Sequence, residues 1–229
     1  MPTAIISTRR GFLKTAGYLS LAFSIPLDNA LSQATDNKPR LPGDLQNNRK
    51  LSAWLQINAN QTVTLMVGKV ELGQGISAAL TQIACDTLGI APHQVRWVAG
   101  DTATSPNEGY TAGSQSIEVG GMAWRHVGDV VRSYFAQAAA QHLSCEVPTL
   151  RLQAGNFIAP SSQAVSYHAL AQADNQAWQA LRVDDENSAR IDIPITPVTA
   201  QRDDLWLKFT GAGFIQDLRL PDMWHARVL

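Results

Sequence analysis

The amino-acid sequence predicts an α+β fold in which short strands and longer helices share one core. Residues 61–67 alternate apolar and polar side chains, which is the period of a half-buried strand. Residues 76–88 and 114–143 repeat apolar side chains at the helical period instead. Beyond Pro148 the apolar runs become short again, which indicates further strands.

The first strands form a predicted hairpin. Residues 54–57 give a short strand, and the polar turn 58–61 connects it to a strand that ends at Val67. A third strand is expected at 95–98, after the first long helix.

Glycines mark both long helices. The helix over 76–88 is expected to end at Gly89, because glycine readily takes the left-handed conformation of a helix cap. The helix over 114–143 carries Gly120 and Gly121, each of which would weaken an exposed helix by about 1 kcal/mol. We therefore expect a second surface or a ligand to approach these two glycines closely.

Smaller elements are predicted in the rest of the chain. Short strands are expected at 150–153, 157–158 and 164–166, and a helix begins at Tyr167. The acidic and polar stretch 183–190 is typical of a surface loop.

The composition favours a globular protein without a nucleic-acid-binding surface, because 45% of the residues are hydrophobic and the formal net charge is −1. Cys85 lies on the apolar side of its helix, so we expect a buried, inert thiol rather than a reactive one. His126 is interpreted as a core histidine rather than a metal ligand, since no partner stands at ligand spacing.

The glycine-rich stretch from Gly68 to Gly75 lies at a predicted strand-to-helix turn. Such a turn exposes backbone N–H groups that suit an anion or the polar edge of a cofactor. Gly73 and Gly75 would let another molecule approach, and Gln74 carries both a donor and an acceptor. The stretch matches neither a dinucleotide fingerprint nor a P-loop, and an ordinary glycine-rich connection is the alternative.

A long polar loop over 100–116 leads from the third strand to the second long helix. Loops of this length are uncommon in compact domains unless they bind something. At its end, Ser114 or Ser116 could cap the helix or hold a phosphate. Two glycine-rich helix starts so near in sequence favour one large polar ligand that both contact.

Three segments together resemble a known family: Gly68–Gly75, Gly100–Thr102 and Gly109–Ser116. They look like the molybdopterin-binding large subunit of the xanthine dehydrogenase family, the molybdenum hydroxylases. Their order is most similar to the permuted bacterial branch that includes the isoquinoline 1-oxidoreductase β subunit and the corresponding nicotinate dehydrogenase subunit.

The resemblance implies a site for molybdenum–molybdopterin cytosine dinucleotide. The Gln74 amide would hydrogen-bond the apical oxo ligand of molybdenum and is the expected catalytic residue. The flanking glycines would permit that approach. Gly113, Ser114 and Ser116 would contact the pyranopterin phosphates or the cytosine nucleotide. No side chain is expected to ligate the metal. The implied cofactor-binding residues are Gly73, Gln74, Gly75, Gly113, Ser114 and Ser116.

The resemblance also implies the activity and the partners. The family hydroxylates N-heteroaromatic or aldehyde substrates with water as the oxygen source. Cys85 and Cys145 are the only cysteines, too few for an iron–sulfur cluster, so the clusters are expected on a small iron–sulfur subunit. The remainder of the large subunit and a cytochrome electron acceptor are further expected partners. A non-catalytic remnant or assembly module that binds a partner subunit is the alternative.

The amino-terminal residues fit an export signal. Thr8–Lys14 matches the twin-arginine pattern, and residues 15–27 form an uncharged apolar run too short to span a bilayer. Cleavage is expected at Ser32–Ala34 or at Ala30–Ser32. Residues 1–34 are therefore predicted to be a twin-arginine signal peptide, which exports the folded protein to the periplasm and leaves no transmembrane span in the mature chain.

The domain organisation follows from these assignments. A linker is expected over 35–50, a partial molybdopterin-binding domain over 51–200, and the start of a small α/β hammerhead domain over 201–229. In that last part, Asp222 stands where the family has a turn glycine.

The family's glycine-flanked glutamate, the base of the hydroxylation, has no match before the sequence stops at Leu229. We therefore expect an amino-terminal fragment of a large subunit, either truncated or split. Apolar strand edges predicted within 205–229 would need another chain or the continuation to cover them.

Overall fold

The computed structural model describes residues 41, 43–112, 114–183, 191–202, 204–210, 221–224 and 226. The helices in these ranges are α1 (Gly43–Asn47), α2 (Ile76–Leu88), α3 (Met122–His142), α4 (Tyr167–Ala173) and α5 (Asp204–Phe209). The strands are β1 (Leu55–Ile57), β2 (Val63–Val67), β3 (Val95–Ala99), β4 (Arg151–Gln153), β5 (Asn156–Ile158) and β6 (Ala164–Ser166). The predicted α+β fold is confirmed.

The first sheet has the strand order β1-β2-β3. β1 and β2 form the predicted antiparallel hairpin, in which Leu55 pairs with Leu65. β2 and β3 run parallel, and Val67 pairs with Ala99 at their carboxyl ends. Because parallel strands end at the same edge of a sheet, the glycine-rich turn after β2 and the polar loop after β3 leave side by side.

Helices α2 and α3 pack against each other at the distance that one glycine permits. A Cβ added to Gly128 would lie only 2.3 Å from the Thr87 hydroxyl oxygen, so no larger residue fits between the helices. Trp124 of α3 meets the edge of Trp54, with ring centroids 5.6 Å apart. Helix α2 ends at Gly89 in the predicted left-handed conformation.

The second sheet is an antiparallel meander of β4, β5 and β6. Phe135 of α3 and Phe157 of β5 both meet Tyr167, with ring centroids 5.4 and 4.9 Å apart. Trp178 is also fully buried and contacts Phe135. This aromatic cluster joins the meander to the long helix.

The linker predicted over 35–50 is wrong for the part that the structure describes. Residues 43–47 form α1, and Leu41 and Leu45 are buried in the core. Of the two leucines only Leu45 lies within α1, and a five-residue helix is too short for its periodicity to be recognised. The predicted surface loop at 183–190 is also wrong at Val183, which is buried and donates its N–H to Arg49 O.

The prediction of strands within 205–229 is wrong for residues 205–209, because these residues form part of the helix α5. Its acidic first residue, Asp204, pairs with Lys208 one turn later, which favours the helix. Residues 211–220 and 227–229 lie outside the described ranges, so the hammerhead domain stays a prediction. Within the described residues, no helix combines the length and hydropathy that a membrane span requires.

Cys85 should resist modification in the folded protein. Its side chain is completely buried, and burial, with a contribution from Asp86, raises the pKa of the thiol to about 12. At about pH 8 an aromatic disulfide reagent should modify the partly exposed Cys145 first and reach Cys85 only after denaturation, because the thiolate is the nucleophile. Fast modification of both thiols in the native protein would contradict this expectation.

Candidate functional site

The glycine-rich turn connects β2 to α2, as the sequence predicts. Gly73 and Gly75 have φ angles of 97° and 85°, which lie in the left-handed region that side chains disfavour. Gly75 is the residue from which α2 begins. These two glycines are therefore required by the backbone of the turn itself.

The Glu71 carboxylate folds into this turn. One carboxylate oxygen, Oε1, accepts the N–H groups of Gly73 and Gly75, both at 2.8 Å. The other oxygen accepts the N–H of Ser77 at 3.1 Å and its hydroxyl at 2.9 Å. The prediction that this turn offers free N–H groups to an anion is therefore wrong for Gly73 and Gly75, because the chain supplies its own anion.

These contacts keep Glu71 ionised. Desolvation by itself would raise the pKa of the Glu71 carboxyl, but the hydrogen bonds from Gly75, Ser77 and Gly73 outweigh it, so the pKa lies below its ordinary value. An ionised carboxylate at the start of α2 also interacts favourably with the helix dipole.

The Gln74 side chain pairs with the backbone of the same turn. Its Oε1 accepts the N–H of Leu72 at 2.6 Å, and its Nε2 donates to Val70 O at 3.3 Å. These two bonds fix which end of the amide is oxygen and which is nitrogen. Since Nε2 carries two hydrogens, one of them remains for a further acceptor.

A hollow of about 520 Å³ brings the two predicted halves of the site together. Gln74 from the glycine-rich turn lines it, and so do Ser114 and Ser116 from the end of the polar loop. The remaining lining residues are Leu72, Ile76, Thr111, Ala112 and Ile117. Gly113, the other predicted member of this group, lies outside the described residues.

The second half of the site begins with a turn of π-helix over Ser116–Gly121, which runs directly into α3. Turns of this kind are rare and are frequently found at functional sites. Ser114 has a φ angle of 63°, which is unusual for a residue other than glycine. Gln115 precedes the π-turn, and no side-chain hydrogen bond caps the helix there. The capping role considered for Ser114 and Ser116 therefore finds no support at that position.

Neighbouring side chains explain the two glycines of the π-turn. A Cβ on Gly120 would lie 2.7 Å from a carboxylate oxygen of Glu108, and a Cβ on Gly121 would lie 3.0 Å from Ile83. The expected close approach is thus confirmed, and a second protein surface makes it.

Lys69 is a site residue that sequence reasoning missed. Its side chain is 1% exposed, and its ammonium donates to Glu108 O and, at 2.9 Å, to Tyr110 O. The Glu108 carboxylate accepts the N–H of Gly68 at 2.6 Å. These contacts fasten the polar loop to the glycine-rich turn. The only clue in the sequence is a lysine between Gly68 and Val70, two positions after the end of an apolar strand.

Arg202 and Lys208 hold the carbonyl side of the turn and were also missed. Arg202 donates to Gly73 O at 3.1 Å and to Gln74 O at 3.4 Å, and Lys208 donates to Gly73 O at 3.0 Å. Asp204 pairs with both cations, and hydrogen bonds from Arg202 and then Lys208 hold its pKa well below the usual range. Contacts this distant in sequence leave no local pattern.

The groups that face the hollow are an amide and hydroxyls. Such groups suit uncharged or delocalised oxygens and nitrogens of a polar ligand, while Leu72, Ile76 and Ile117 add apolar walls. Groups of three or more His, Cys, Asp or Glu residues that could hold a metal ion are absent from the described part of the chain. The hollow therefore offers neutral hydrogen-bonding groups beside apolar walls, which suit an organic molecule with polar edges.

Comparison with known proteins agrees with that class of site. Residues 30–198 match the model of the molybdopterin cofactor-binding domain family. A nicotinate dehydrogenase subunit of Pseudomonas putida is 33% identical over 183 residues, which are 79% of this chain and 15% of that protein. A probable xanthine dehydrogenase subunit of Bacillus subtilis is 30% identical over 185 residues, or 75% of this chain and 23% of that protein.

A solved structure, quinoline 2-oxidoreductase from Pseudomonas putida 86, is similar with a TM-score of 0.44 and 21% identity, and the match covers 57% of this chain and 17% of that chain. The match over residues 30–198 defines a molybdopterin cofactor-binding domain. The chain belongs to the xanthine dehydrogenase family of molybdopterin-binding proteins, as the family match shows. It spans between 15% and 23% of the two curated relatives named above.

Proposed function

We propose that this chain is the cofactor-binding part of a periplasmic molybdenum hydroxylase, which hydroxylates N-heteroaromatic or aldehyde substrates with water as the oxygen source. One observation carries the proposal. Gln74 and the pair Ser114 and Ser116 come from separate segments and line a single hollow in a molybdopterin-binding domain.

The residues of the hollow fit the cofactor. The remaining Nε2 hydrogen of Gln74 would donate to an oxygen of the bound cofactor, and the hydroxyls of Ser114 and Ser116, with Gly113, would contact the phosphates or nucleotide of a cytosine dinucleotide form. The bound cofactor supplies the oxygen-transfer and redox chemistry. This chain orients the cofactor by neutral hydrogen bonds.

Substrate class and partners are inferred from the relatives' names. Nicotinate is an N-heteroaromatic acid, and an aldehyde oxidoreductase from Megalodesulfovibrio gigas is 33% identical over 76 residues. Several relatives are named as subunits of larger enzymes. We expect a small iron–sulfur subunit, a cytochrome acceptor, and the remainder of the large subunit with its glutamate base.

The test of the site uses the enzyme assembled with its partner subunits. Gln74→Ala should retain less molybdenum and pterin, and turnover should fall roughly a hundredfold, because a donor aimed at the reacting group is lost. Gln172→Ala, an exposed glutamine on α4, is the matched control and should change neither quantity. Unchanged metal content and turnover in Gln74→Ala would remove the basis of the proposal.

The alternative, a non-catalytic remnant or assembly module, predicts a different result for the wild-type protein. Mass spectrometry of the purified 229-residue chain should then detect neither molybdenum nor pterin, even after expression with partner subunits and molybdate. Detection of both would exclude that alternative.

Periplasmic export rests on the twin-arginine motif and has its own test. Replacing Arg9 and Arg10 together with lysine should leave most of the protein in the cytoplasmic fraction, because receptor recognition requires the arginine pair. Lys38→Arg, outside the motif, is the charge-conserving control. Export that continues in the double variant would refute the assignment.

A further inference from the structure

A single carboxylate holds both sides of Gln74. Glu71 accepts the N–H groups of Gly73 and Gly75, the two residues that flank Gln74, and it also accepts two bonds from Ser77. A carboxylate accepts hydrogen bonds without donating any and can accept about four of them. Glu71 thus uses two of its acceptor positions on the N–H groups on either side of Gln74 and the other two on Ser77.

The same short segment orients the Gln74 amide. Its two backbone partners, Val70 and Leu72, are the immediate neighbours of Glu71. Rotation of residue 71 away from the turn would therefore move both partners of the amide and release the N–H groups on either side of it. Arg202 and Lys208 contact only the carbonyl oxygens of the turn and do not bond its N–H groups. These two cations therefore cannot replace the carboxylate.

We propose that Glu71 is the positioning residue of the site. Its carboxylate fixes the glycine turn in the conformation that presents the Gln74 amide to the hollow shared with Ser114 and Ser116. This inference rests on the proposed function of Gln74.

A consequence concerns the charged end of the ligand. Because Glu71 already accepts the N–H groups of Gly75 and Ser77 at the start of α2, its negative charge disfavours a phosphate of the cofactor at that helix end. We therefore expect Ser114 and Ser116 to be the phosphate contacts of the hollow.

The experiment compares Glu71→Gln, Gln74→Ala and the double variant in the assembled enzyme. A glutamine at position 71 keeps the size of the side chain, but its amide nitrogen cannot accept the Ser77 N–H. Three quantities are measured: molybdenum per protein by mass spectrometry, pterin by fluorescence after oxidation, and the electron paramagnetic resonance spectrum of the bound metal. Glu146→Gln, an exposed residue outside the site, is the matched control.

We expect Glu71→Gln to retain roughly five- to tenfold less molybdenum and pterin, which corresponds to the loss of about one hydrogen bond. The resonance spectrum of the remaining metal should shift as it does in Gln74→Ala. In the Gln74→Ala background, Glu71→Gln should cause no further loss, because a positioning residue acts through the group that it positions.

Two outcomes would overturn the inference while leaving the proposed function intact. In the first, Glu71→Gln binds molybdenum and pterin normally and keeps the wild-type spectrum, while Gln74→Ala is impaired. In the second, the double variant loses as much additional cofactor as Glu71→Gln alone, which would mean that Glu71 only caps the helix. If Gln74→Ala itself loads normally, the proposed function fails instead. Should Glu71→Gln not fold, Ser77→Ala removes part of the same contact and must show a smaller shift in the same direction.

Discussion

Replacing Arg132 with methionine should lower the free energy of unfolding by about 3–5 kcal/mol, which is typical when one partner of a buried ion pair is removed. The Arg132 guanidinium is about 10% exposed and lies between the two long helices. It donates to Asp129 at 2.8 Å and to Thr87 O, near the end of α2, also at 2.8 Å. The substitution removes a cation from beside a buried carboxylate and a donor from a helix end.

Denaturant unfolding at equilibrium measures this effect, and Arg125→Met on the exposed face of the same helix is the control, with an expected change below about 0.5 kcal/mol. The double variant Asp129→Leu with Arg132→Met should be more stable than Arg132→Met alone, because the buried carboxylate that the guanidinium neutralises is then removed together with it. A single variant that loses less than about 1 kcal/mol would show that the pair contributes little.

The sequence predicts elements well where a regular period runs for several turns. Helix α2 was expected over 76–88 and occupies Ile76–Leu88, because the apolar spacing and Gly89 agree with each other. Helices α1 and α5 were not predicted. Each is five or six residues long, so neither extends over enough turns to show a periodicity, and long-range contacts decide its conformation.

The same distinction applies to the site. Gln74 and Ser116 were assigned to one ligand because two glycine-rich helix starts lie close together in the sequence. The structure explains why they meet, since the parallel strands β2 and β3 deliver their following segments to one edge of the sheet. Glu71, Lys69 and Arg202 could not be predicted. Each acts by a side-chain contact with backbone atoms, and backbone partners carry no residue-type pattern.

The π-turn shows why the boundary of the second long helix was predicted but its geometry was not. Apolar periodicity over 114–143 indicates a helix, but the pattern changes little when one residue is inserted in the first turn. The distortion coincides with contacts of Gly120 and Gly121 to Glu108 and Ile83, which belong to other segments. Tertiary packing thus accounts for what the local pattern omits.

Lys69→Met should release the polar loop from the glycine turn and cost about 2–4 kcal/mol, because two carbonyl groups, one of them on the buried Glu108, would lose a charged donor. The Lys69 ammonium donates to the carbonyls of Glu108 and Tyr110, and the Lys69 side chain is 1% exposed. Methionine fills much of the same volume, so the change isolates the ammonium from the packing of the side chain.

Hydrogen exchange locates the effect. The N–H of Val70 donates to the Thr111 hydroxyl at 3.0 Å, so its exchange should become roughly a hundredfold faster when the loop opens. Since Thr111 also lines the hollow, cofactor retention should fall together with this protection. Lys50→Met, at an exposed lysine, should leave both unchanged. If Lys69→Met kept the wild-type exchange at Val70, the loop would be held by its remaining contacts, and the ammonium would be dispensable.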